Sequence, residues 1–113
     1  MSLKRASIVI MGIAFIGAIA WATAATAAQP FLYSAWKKIT ISQGACMQRA
    51  AAALSNSGFT KPMTLGTVIM LANLGDFSAQ VRCESNTLGI VLVIVAGPSN
   101  AGLNYVNSIS NAF

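Results

Sequence analysis

Lys4 and Arg5 stand in front of an apolar run, Ser7 to Trp21, that closes in the small-residue stretch Ala22-Thr23-Ala24-Ala25-Thr26-Ala27-Ala28. A basic start, an apolar middle and a small-residue end are the parts of a secretory signal peptide. The consequence for folding is severe. Removal of residues 1–28 leaves about 85 residues, from Gln29 to Phe113, to fold outside the reducing cytoplasm, and a domain of that size has only a few kcal/mol in reserve. Small residues at −3 and −1 recur at Ala22/Ala24, Ala25/Ala27 and Thr26/Ala28, the last of which leaves Gln29 at the new N-terminus, and no Cys lies near the cut to carry a lipid. The competing reading retains residues 7–28 as an anchor, since roughly 20 apolar residues cross a bilayer. The barely hydrophobic Ala/Thr-rich end argues for cleavage, and the intact mass of the exported protein separates the two readings.

Two cysteines remain after processing, Cys46 and Cys83. An even count in a short exported chain reads as one disulfide. In the chain-entropy view, closing a loop of nearly 40 residues is worth about 3.5–4 kcal/mol, comparable to everything else such a domain has to spare. A metal or redox role fits poorly. The thiols are far apart in sequence, Cys-x-x-Cys is absent, and the chain has no His to complete a metal site.

Periodicity gives the coarse architecture. Gln29 to Ala35 is an apolar lead-in, and Trp36 to Ile41 alternates as a first strand. Ser42 is placed to cap a helix over Gln43 to Ser57, with Cys46, Ala50, Ala53 and Leu54 on one face. Gly58 and Phe59 then have the Schellman arrangement, with Phe59 returning onto Leu54. Lys61-Pro62 breaks the chain, Leu65 to Leu71 is a β-branched run, and Asn73-Leu74-Gly75-Asp76 is a hairpin turn. Phe77 to Cys83 alternates cleanly between apolar and polar residues, whereas Leu88 to Ala96 is apolar at nearly every position. Gly97-Pro98-Ser99-Asn100 opens a last helix, with Ser99 as N-cap and Leu103, Val106, Ile109 and Phe113 facing inward. The expectation is a two-layer α+β domain of order β-α-β-β-β-α: a mainly antiparallel four-stranded sheet with two helices on one face.

The residue inventory excludes most chemistry. With no His, one Asp and one Glu in the domain, the inventory fails the checklist of catalytic roles: Asp76 and Glu84 bracket one strand and stand some 20 Å apart, and Lys is the only type of base left for a Ser, Thr or Cys nucleophile. An enzyme is not expected, and no cofactor either. Lys37, Lys38, Arg49, Lys61 and Arg82 are scattered, without the basic and aromatic stripe that follows a nucleic-acid backbone. The segment from Gly97 to Gly102 lacks the Lys-Ser/Thr of a phosphate-binding loop, and turn and cap chemistry accounts for it.

Cys46 through Phe59, Gln80-Val81-Arg82-Cys83-Glu84 and Val95-Ala96-Gly97-Pro98-Ser99 resemble small exported bacterial proteins of uncharacterised function. The resemblance implies a bacterial origin and a disulfide, and it brings no activity or binding residues with it.

What is left is a binding or protein-interaction domain of the periplasm or cell exterior, or a membrane-tethered envelope component if residues 7–28 are retained. Membrane contact is expected only in the second case. Both alternating sets of the last strand are apolar, yet helices cover only one face. Val91, Val93 and Val95 are therefore expected on the uncovered face beside Gln80 and Arg82, unless Phe31-Leu32-Tyr33 folds across them. Such a patch would take a second copy of the chain or a partner protein of the envelope.

Overall fold

The computed structural model of the protein describes residues 30–113; residues 1–29, and with them the expected signal peptide over 1–28, lie outside the described residues. The described part is an α+β domain: a five-stranded antiparallel sheet with two helices. The elements run β1 (Phe31–Lys38), α1 (Gln43–Asn56), β2 (Thr60–Leu65), β3 (Ile69–Leu74), β4 (Phe77–Glu84), β5 (Ile90–Gly97) and α2 (Gly102–Ser110). Strand order across the sheet is β1-β5-β4-β3-β2. Strands β2 to β5 form a meander, and α1 carries the chain from one edge to the other. Helix α1 packs on β2, β3 and β4, and α2 on β1 and β5.

The sheet has one strand more than the four expected. Lys61-Pro62 does not end pairing: Thr60 pairs with Asn73 and Met63 with Leu71, so three residues of β2 span two of β3 and the surplus residue forms a bulge. Lys61 takes a positive φ of 52° there. Proline is tolerated because β2 is an edge strand, where a missing N–H breaks no ladder. The run expected as one strand over Leu65 to Leu71 is split by a turn at 66–68 between β2 and β3. At the other edge, the apolar lead-in is itself a strand. Phe31 to Lys38 pairs without interruption with Gly97 to Ile90, so Phe31-Leu32-Tyr33 extends the sheet and does not fold across it.

Helix α1 follows its sequence signals closely. Ser42 Oγ accepts the Ala45 N–H at 3.1 Å, satisfying one of the free donors of the first turn. At the far end Phe59 N–H donates to Leu54 C=O at 2.9 Å and Gly58 N–H to Ser55 C=O at 3.0 Å, the two bonds of a Schellman cap. That cap needs a left-handed residue, and Gly58 has φ 94°. Leu54 and Phe59 are both buried. Helix α2 departs from expectation at its start. It begins at Gly102 with Ala101 as N-cap and no side-chain cap bond, while Ser99 Oγ accepts the Ala101 N–H at 3.3 Å within the preceding turn. Val106 and Ile109 are buried and Phe113 is partly so, but Leu103 is 48% exposed. The inward position of that first turn belongs to Gly102, where a Cβ would come within 3.1 Å of the Tyr33 ring.

The core lies between the inner face of the sheet and the helices. Ala50, Ala53 and Leu54 from α1 and Val106 and Ile109 from α2 meet Met70, Ala72, Ala79, Val81, Val91, Val93 and Val95. At one end Tyr105 packs edge-on against Phe59 and Phe77, with ring centroids 5.3 and 5.1 Å apart. The Phe77 ring occupies the space over Gly97 that a side chain would need, since a Cβ built on Gly97 meets it at 2.1 Å. Gly97→Ala is therefore expected to displace the Phe77–Tyr105 pair and lower stability by about 1–3 kcal/mol, read as a drop in the urea midpoint. An unchanged midpoint would show that the ring can move away freely.

Candidate functional site

The register of the β4–β5 hairpin decides which side chains the protein shows. Glu84 pairs with Ile90, Arg82 with Leu92, Gln80 with Ile94 and Ser78 with Ala96. Directly opposed residues of antiparallel strands point to the same side. The polar, even-numbered residues of β4 thus share the outer face with Ile90, Leu92, Ile94 and Ala96. Val91, Val93 and Val95 pair with Cys83, Val81 and Ala79 and are fully buried under the helices. The expected grouping of Val91, Val93 and Val95 with Gln80 and Arg82 is corrected: the valines are core, and Gln80 and Arg82 lie on the opposite face. The cause is the connection. Its five residues, 85–89, are held by Leu88 and Gly89 N–H groups donating to Glu84 C=O at 3.0 and 2.8 Å, and Leu88 belongs to this loop. A connection one residue longer or shorter would exchange the two faces.

The outer face is open. Its positions follow from the pairing: Leu32, Ser34, Trp36 and Lys38 from β1, the even set of β5, the polar set of β4, Ile69, Leu71 and Asn73 from β3, and Met63 and Leu65 from β2. Leu32 is 68% exposed, Trp36 and Met63 62% each and Leu65 58%. An antiparallel sheet facing water on one side ordinarily alternates apolar-in and polar-out. Here β1, β5, β3 and β2 show apolar residues outward as well. Only the central strand β4 is polar outward, as a stripe of Ser78, Gln80, Arg82 and Glu84.

The charges in that stripe are paired. Arg82 Nε donates to Glu84 Oε2 at 2.6 Å, and Thr87 Oγ1 to Glu84 Oε1 at 3.0 Å. The bond from Arg82, the bond from Thr87 and the nearby guanidinium charge together hold the Glu84 carboxyl below its usual value. A lowered carboxyl pKa favours the folded state above the ordinary carboxylate range, and that contribution is lost as pH falls through the folded value. The pair is exposed, so its weight in stability is small. Asp76 sits in the β3–β4 turn, at the other end of β4 from Glu84. Among the described residues no group of three or more His, Cys, Asp and Glu could hold a metal ion. A shallow groove of ≈ 210 Å³ lies beside the β2 bulge, lined by Lys61, Met63, Leu71, Asn73 and Ser78 among others.

A second constellation holds the fold and was only half visible in the sequence. Cys46, in the first turn of α1, is bonded to Cys83 on the inner face of β4, with Cα atoms 6.0 Å apart. Beside it Gln43 makes three hydrogen bonds: Nε2 donates to Cys83 C=O at 2.8 Å and to Thr67 C=O at 3.0 Å, and Oε1 accepts the Ser85 N–H at 3.1 Å. The cysteine pairing was readable from count and compartment. Gln43 carries no sequence signal, because its partners are backbone groups that only the fold brings near. On the far side Lys37 Nζ donates to Ser110 C=O at 3.3 Å, placing an ammonium at the negative end of α2.

Among the described residues no helix is long and apolar enough to cross a membrane. No family model, curated protein or solved structure matches the chain. The two faces of the sheet make opposite predictions for one kind of substitution. Val93→Lys puts an unpaired charge into the core and should abolish the cooperative thermal transition. Trp36→Lys, on the outer face, should shift the melting temperature by only a few degrees, on the order of 0.5 kcal/mol. Equal tolerance of both substitutions would mean that the register is wrong.

Proposed function

We propose that the protein is a small exported, non-enzymatic domain of the periplasm or cell exterior that acts by binding another protein through the outer face of its sheet. The observation that carries this reading is the pattern of that face: apolar side chains on four strands around a polar central stripe, with both helices committed to the opposite side. Five strands about 4.8 Å apart, with about 3.4 Å per residue over their length, give an open area of about 600 Å². With the polar β4 stripe left out, the apolar part lies within the range of the largest apolar patches on monomers, and the whole face is somewhat below the roughly 800 Å² per partner of a standard interface. A face of that size suits a partner of modest affinity. The Arg82–Glu84 pair and Gln80 across its middle favour protein over lipid, because a protein partner can supply hydrogen bonds there and hydrocarbon cannot.

The exported setting draws support from the disulfide, which persists in oxidising compartments, and from the leader. The absence of acid–base chemistry in the reading rests on the placement of the acids: Asp76 in a turn, Glu84 engaged with Arg82 and Thr87 at the other end of the strand.

A photo-crosslinking residue placed on each side of the domain tests this in the native envelope. Introduced at Leu92 or Met63 on the outer face, it should yield a discrete crosslinked species; introduced at Arg49, on the exposed side of α1, it should not. Equal crosslinking from both sides, or none from the sheet, would overturn the proposal.

A further inference from the structure

The two edges of the sheet are built differently. The β2 edge is interrupted: Pro62 lacks an N–H, and the bulge at Lys61 breaks the register. These are the devices by which proteins blunt an edge against added strands. The β1 edge has neither. Its eight residues, Phe31 to Lys38, run in unbroken register along β5, and among the described residues no strand pairs with the other side. Lys37 is the one inward-pointing charge on it, and that ammonium is engaged by the Ser110 carbonyl of its own fold. Among the described residues, three of the seven exposed large hydrophobic residues, Phe31, Leu32 and Trp36, are on this strand.

We infer that β1 pairs with β1 of a second copy, antiparallel and about a two-fold axis through Ser34, joining two sheets into one of ten strands. Side chains stay on a common face only when the register keeps parity, and the register centred on Ser34 does so. It sets Leu32 opposite Trp36 of the second copy, twice, on the outer face, and Tyr33 opposite Ala35, twice, on the inner face. Apolar cross-strand pairs of this kind add to the backbone bonds. The same register puts the two Lys38 residues at opposite ends of the ribbon, about 27 Å apart, where their repulsion is screened. The interface is isologous and closes at two copies, so the edge is consumed and no fibre grows. With the axis perpendicular to the sheet, both outer faces lie on the same side and all four helices on the other.

Sedimentation of the exported protein over a range of concentrations should show a monomer–dimer equilibrium. Leu32→Lys with Trp36→Lys places lysines opposite each other in both outer pairs and should leave only monomer. Leu32→Lys with Trp36→Glu makes both pairs oppositely charged and should restore the dimer. Met63→Lys with Leu65→Lys, on the guarded edge and the same face, should have no effect. In the Ser34→Cys variant the new cysteines face each other across the axis at about 4.5–5.5 Å between Cα atoms, within disulfide reach, and should link the copies on mild oxidation, whereas Met63→Cys should not. A monomer at every concentration would overturn the inference and leave the edge to a foreign strand. A dimer lost in the Met63/Leu65 variant would overturn it in favour of face-to-face packing.

Discussion

The bond between Cys46 and Cys83 holds together a topology that its small core alone would hold weakly. Helix α1 leaves one edge of the sheet and returns the chain to the other, and two of its four buried side chains, Ala50 and Ala53, are alanine. Alanines allow a close approach of helix and sheet but remove little apolar surface from water. The disulfide fixes the first turn of this crossing helix to β4, the middle strand of five, and closes a loop that contains β2, β3 and most of β4. Gln43 adds direction to that attachment. By binding Cys83 and Thr67 carbonyls and the Ser85 N–H, it also ties down the β2–β3 turn and the start of the β4–β5 connection, whose length fixes the register of β5.

That register divides the two side-chain sets of β5 between core and outer face. Small, branched side chains of β5 fill the core under the helices, and the larger Ile90, Leu92 and Ile94 are turned outward. Both helices are spent on one side, so the apolar outer set has no cover within the described part of the chain. A sheet selected only for stability as a monomer would carry polar residues there. The polar stripe on β4 raises the cost of burying the face in lipid and, on the proposed reading, would orient a protein partner.

Where sequence and structure agree, the signal was local and had a physical cause. Ser42, Gly58 and Phe59 mark the ends of α1 because caps are built from neighbouring residues, and the alternation in Phe77 to Cys83 marks β4 because one face is wet. Where they differ, a distant neighbour decided. Pro62 reads as a break unless the strand is known to lie at an edge, and Phe31 to Ala35 reads as a lead-in because nothing nearby reveals the pairing with β5. Val91, Val93 and Val95 could not be assigned from composition, since both sets of β5 are apolar and only the five-residue connection after Glu84 selects between them. Leu103 has the spacing of a buried residue, but the close approach at Tyr33 leaves room there only for Gly102.

The most direct test is equilibrium urea unfolding of the oxidised protein beside the double variant Cys46→Ala, Cys83→Ala, which lacks the bond and leaves no free thiol. If the attachment of α1 to β4 carries the fold, the variant loses about 2–5 kcal/mol of unfolding free energy and has little folded population at body temperature. A variant with the same midpoint and slope as the wild type would contradict the account, and would place the stability in the packing of the sheet and helices alone.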